Sequence, residues 1–159
     1  LEGDEAATAW LEAMKANGAV EYPGNSQIVE AVANGEVTLG LVNHYYVFRF
    51  LDEQGESFKA RNAFSASGDA GSLINVAGAA VLATNDAGSS AERFIEFLLS
   101  QEAQEYFRDE THEYPLAAGV APRPELPALA DLNTPELALG NLADLEGTLD
   151  LMRDAGVIP

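Results

Sequence analysis

Cysteine is absent from the 159 residues. That excludes disulfides, zinc–thiolate sites, iron–sulfur clusters and thiol nucleophiles. Basic residues are scarce: 8 Lys and Arg stand against 26 Asp and Glu, for a formal charge of −18, and Lys15 and Lys59 are the sole lysines. Without a basic face the chain lacks the means to neutralise phosphates, which argues against nucleic acid and against docking on anionic lipid. The acidic field tolerates a cationic ligand without requiring one, and it reads first as a solubility- or salt-adapted surface. No apolar run reaches membrane-spanning length. The marks of an enzyme are missing too: there is no Gly-x-Ser-x-Gly elbow, no phosphate-cradling glycine loop in a strand–loop–helix context, and no nucleophile beside an evident base.

What is present is a 47% hydrophobic chain, long enough for one domain or two small lobes. Apolar spacing and capping residues predict a helix from Asp4 to about Ala16, ended by Gly18. A second runs from Gln27 to about Asn34, capped by Asn25 or Ser26 and stopped by Gly35. A third covers about Tyr46 to Leu51, and two successive runs cover about 90–100 and 101–109. A last amphipathic helix spans about Leu142 to Asp154 before Gly156. Short strands are expected at 20–22, 37–42, 63–66, 73–76 and 78–84, with a proline-rich crossing segment over 119–135. The alternation is that of an α/β layer, yet the strands are few and fall in two separated groups. The opening Leu1-Glu2-Gly3-Asp4 reads as the interior of a longer chain, and the expectation is a carboxy-terminal half.

The most informative string is Asn43-His44-Tyr45-Tyr46, directly after the apolar run 37–42. If that run is a strand, the string lies at its end, the edge of an open α/β sheet where ligands bind. Two phenols flanked by an amide and an imidazole offer hard oxygen donors, suited to a small, highly charged cation. The same pair also fits plain packing at a strand end. Asp109-Glu110-Thr111-His112-Glu113 offers carboxylates beside a histidine as a candidate second metal cluster, but is read as a solvated helix end.

Several strings resemble the periplasmic ferric-ion-binding proteins of bacterial ABC importers, within the two-lobed solute-binding proteins. They are Gly24-Asn25-Ser26, residues 33–36, residues 41–46 and residues 71–82, followed by residues 97–107 and Glu113-Tyr114-Pro115. The likeness runs from about residue 8 to the end. It implies an α/β, two-lobed periplasmic-binding-protein-like fold, of which this chain supplies most of the second lobe and a return segment of the first. Residues 1–76 and 128–159 would belong to the second lobe and 77–127 to the excursion. It also implies that Tyr45 and Tyr46 ligate Fe(III) as phenolates and that Asn25 and Asn43 touch a synergistic anion such as carbonate or phosphate, or the site's surroundings. Asn25 serves equally well as a helix cap. His44 sits between the tyrosines and would point away from the metal if the backbone there is extended.

The resemblance further implies capture and delivery to an ABC permease, in the periplasm or at the extracellular cell surface, with the remaining ligands upstream of residue 1. A chain expressed as an isolated half would expose strand edges and self-associate. The rival reading is a binder of another small solute or anion on the same architecture, with the tyrosines as hydrogen-bonding or stacking groups.

Overall fold

The computed structural model describes residues 1–66, 68–132, 135, 140 and 143–159. Among these residues seven helices follow in order: α1 (Asp4–Ala16), α2 (Asn25–Asn34), α3 (Tyr45–Gln54), α4 (Ser90–Leu98), α5 (Gln101–Asp109), α6 (Leu129–Leu132) and α7 (Leu145–Asp154). Single 3-10 turns occupy Gly55–Ser57 and Ala70–Ser72. No helix among the described residues is long and apolar enough to cross a membrane.

Helix ends follow local chemistry. Gly18 and Gly35 take the left-handed conformation after α1 and α2, at φ 75° and 76°. There the amides of Ala19 and Glu36 bond back to Met14 and Ala31, closing carbonyls the helices leave open. Ser100 separates α4 from α5, accepting from the Ala103 amide as N-cap, so the two successive runs are two distinct helices. Asp144 caps α7 by accepting from the Gly147 amide. The helix expected from Leu142 therefore starts at Leu145, and Leu142 itself lies outside the described residues. The cap expected at Asn25 or Ser26 falls instead to Gly24, and Asn25 becomes the first residue of α2 without a side-chain cap bond.

The expected strands at 20–22, 37–42, 63–66, 73–76 and 78–84 are not formed: no ladder is assigned among the described residues. A strand exists only through its neighbour, and these segments find none among the described residues. Leu39 and Leu41, expected to be buried, are 80% and 70% exposed.

The described residues form two compact units. The first comprises 1–23, 64–73 and 132–159. In it α1 packs on α7, and the Lys15 Nζ donates to the Gly156 carbonyl at 3.1 Å. The second comprises 24–63 and 74–131. Its core is Val29 of α2, Val47 of α3, and Phe58 and Ala60 beyond α3, with Val32, Ala33, Val42, Tyr46, Phe50 and Leu51 around them. Gly40 crosses α2 so closely that a β-carbon there would lie 2.2 Å from Ile28 Cγ2. This unit joins segments that the resemblance assigns to different lobes.

Candidate metal centre on the first turn of α3

The Asn43-His44-Tyr45-Tyr46 string does not end a strand; it opens α3. His44 has φ −56° and ψ −33°, already helical, and Tyr45 and Tyr46 are the first two helical residues. The alternation argument for His44 therefore lapses, because it needs an extended backbone. The rings of Tyr45 and Tyr46 lie side by side, 4.7 Å between centroids and tilted by 37°. Both are half-buried. Tyr46 leans on the core cluster, while Asn43 Nδ2 donates to the Tyr45 hydroxyl at 3.0 Å.

Burial pushes the Tyr45 phenol above its ordinary pKa, and the Tyr46 hydroxyl beside it pushes the same way; the Asn43 hydrogen bond opposes them. Tyr45 therefore holds its proton until a cation offsets the charge of its phenolate. The positive end of the α3 dipole favours anionic oxygen at this turn. The negative charge of Glu113 also reaches Tyr45 and His44.

His44 is held from several sides. Its Nε2–H donates to the His112 carbonyl at 2.9 Å, and its own carbonyl accepts from Asn62 Nδ2 at 2.9 Å. Its ring meets Tyr45 and Tyr114 edge-on, at 5.6 and 5.2 Å. Burial lowers its pKa, which favours the neutral imidazole. Asn25 stands at the start of α2, the helix packed on α3, and its side chain makes no hydrogen bond among the described residues.

The sequence did not signal His112. It is 4% exposed, and its φ is +62°, a left-handed backbone that costs a non-glycine residue on the order of 1 kcal/mol. Arg123 Nη1 donates to its Nδ1 at 2.8 Å, so its proton sits on Nε2, which faces Asp52 Oδ2 at 3.3 Å. Arg123 also lies 4.9 Å over the Phe48 ring. The acidic string around it gathers no metal-binding set: Asp109 pairs with Arg108, Glu113 accepts from Thr111, and no cluster of three His, Asp or Glu ligands occurs among the described residues.

The first turn of α3 thus brings together two adjacent phenols, the Asn43 amide and a fixed imidazole. Residues 2–134 match the family described as bacterial extracellular solute-binding protein, and the chain belongs to that family. Its backbone matches iron-bound HitA from Pseudomonas aeruginosa with a TM-score of 0.86 at 36% identity, over 96% of this chain and 49% of that one. The fold is thus that of the two-lobed periplasmic binding proteins, in part.

Among curated proteins it is 33% identical to the Fe(3+)-binding periplasmic protein of Serratia marcescens, over 99% of this chain and 47% of that protein. It is 34% identical to the major ferric iron-binding protein of Neisseria meningitidis, with the same two coverages. It is 32% identical to iron uptake protein A1 of Synechocystis, over 98% of this chain and 45% of that protein. The chain spans about half the length of these relatives. Their names speak of binding and uptake, in agreement with the expectation that this is not an enzyme.

Proposed function

We propose that the protein carrying this chain is the extracytoplasmic binding component of a ferric importer, with Tyr45 and Tyr46 as two phenolate ligands to Fe(III). The observation that carries this reading is the pairing itself: two coupled hydroxyls on one helical turn, rings 4.7 Å apart, in a chain a third identical to ferric-binding proteins. Ferric ion is the cargo. As a hard trivalent cation it offsets the charge of two phenolates and displaces their protons.

The remaining ligands come from the other lobe, outside these residues. Asn43, already on the Tyr45 hydroxyl, fixes one ligand and offers its amide to a synergistic anion such as carbonate or phosphate. Asn25, with its side chain unclaimed by a cap, is the second amide for that anion. His44 has committed Nε2 to the His112 carbonyl, so it orients the turn, and only Nδ1 is left for a metal.

On this reading 1–76 and 128–159 belong to the second lobe and 77–127 to the first. Closure of the lobes buries the ion and presents a closed form to an ABC permease, in the periplasm or at the cell surface.

The test is an Fe(III)-chelate titration of the natural protein, read by visible absorbance. Phenolate-to-iron charge transfer gives the wild type a visible band. Tyr45→Phe and Tyr46→Phe each weaken binding and reduce the band. Full colour and affinity in both variants would overturn the assignment. A colourless protein that still binds an anion would favour the rival small-solute reading.

A further inference from the structure

The geometry points to His112 as a positioning residue for the tyrosine pair, an inference that rests on the ferric reading above. Tyr45, Phe48 and Asp52 are spaced i, i+3 and i+7, so they share one face of α3. The 112–123 segment grips that face at Phe48 and Asp52. The His112 ring lies 5.9 Å from Phe48 and points Nε2 at Asp52, 3.3 Å away. Arg123 closes the cluster from the other side, on His112 Nδ1 at 2.8 Å and over Phe48 at 4.9 Å.

The backbone of the same residue does the second half of the work. With φ +62°, His112 sends its ring into this cluster while its carbonyl accepts from His44 Nε2 at 2.9 Å. One residue thus fixes both the face of α3 and the residue just before Tyr45. His44 in turn meets the Tyr45 ring edge-on at 5.6 Å. Had His112 merely filled a gap, a strained backbone with both ring nitrogens engaged would serve nothing; here it sets where the helix begins and where its first ring points. Such outer-layer partners of metal ligands are the groups that hold them in register for the ion.

The experiment compares His112→Ala, His112→Asn and Asp52→Ala with wild type in the natural protein, loaded with Fe(III) and read by the position of the phenolate charge-transfer band and by Fe(III) affinity. Asn tolerates the left-handed backbone and can still donate to Asp52. Asp52 is half exposed, so its removal spares folding.

The expected result is a displaced band with affinity lowered about tenfold to a hundredfold in His112→Ala. A smaller displacement of the same sign follows in Asp52→Ala, with recovery toward wild type in His112→Asn. A band and affinity unchanged in His112→Ala, or in Asp52→Ala where His112→Ala does not fold, would overturn the positioning role while leaving the ferric reading intact. A wild type without any band would overturn the ferric reading, and this inference with it.

Discussion

The rings of Phe50 and Phe58 stack nearly parallel, 4.9 Å between centroids and 7° between planes. Phe58 is buried at 6% exposure, and the contact ties the middle of α3 to the turn that follows it. Because α3 carries the tyrosines, this stack anchors the site from behind. Truncating Phe58 to Ala empties a core position and should cost roughly 3–5 kcal/mol in urea unfolding. Phe58→Leu, which keeps most of the volume, should cost clearly less. A loss below about 1 kcal/mol for the alanine variant would mean that the stack is not an anchor.

Gly40 leaves no room for a side chain above α2. A β-carbon there would meet Ile28 Cγ2 at 2.2 Å and Val32 Cγ2 at 3.3 Å. Gly40→Val should therefore destabilise by about 1–3 kcal/mol, as overpacking does. Adding Ile28→Ala to it should recover part of the loss. A thermal melt of the two variants checks this, and an unchanged Tm in Gly40→Val would refute the close approach.

On the ferric reading, iron retention should weaken as the medium turns acidic. The Tyr45 phenol is held above its ordinary pKa, chiefly by burial, so it is protonated at neutral pH when no metal is bound. Ferric ion must displace that proton. Each displaced proton makes apparent affinity fall about tenfold per pH unit on acidification. Titrations at three pH values give the slope, and a flat profile would exclude ligation by a protonated phenol.

Stability has its own acid limit. Burial lowers both His44 and His112 below the ordinary 6.5, although Asp52 partly opposes this at His112. On acidification the unfolded chain therefore takes up protons first. The contribution is complete above 6.5 and is lost as pH falls from there through the lowered folded values. Urea midpoints at three pH values, beside the titration of the two imidazole NMR signals, test it. Signals titrating above 6.5 would reverse the sign.

The 159-residue chain expressed by itself should self-associate. Leu39, Leu41 and Leu82 are 80%, 70% and 74% exposed, in segments whose sequence favours strands but which lack partners among the described residues. Unpaired edges with apolar side chains are templates for further pairing. Sedimentation over a concentration series should show growing species, and a strictly monomeric chain at every concentration would contradict this.

Helices were legible where periodicity and stop signals coincide. The glycines after α1, α2 and α7 mark ends that the structure keeps at Gly18, Gly35 and Gly156. Strands were not, because Val37 to Val42 carries the right residues but pairing depends on a distant neighbour, not on the segment. The tyrosine pair was legible as chemistry. Its setting was not, since α3 begins at Tyr45 within the string expected to end a strand, and helical backbone replaces the alternation used to aim His44. His112 stayed hidden because its partners Asp52 and Arg123 are far apart in sequence and form no short motif. The acidic string around it looked like a solvated helix end, and its neighbours Asp109 and Glu110 are exposed as that reading requires.

The bond from Lys15 to the Gly156 carbonyl leaves the two lysines unequal. Lys59 is exposed and its amine makes no hydrogen bond among the described residues, so amine-reactive dyes and resin esters should couple there preferentially. A fluorophore attached by that route would sit between the buried residues Phe58 and Ala60, a few residues beyond α3, and on the ferric reading should report on loading without an engineered handle.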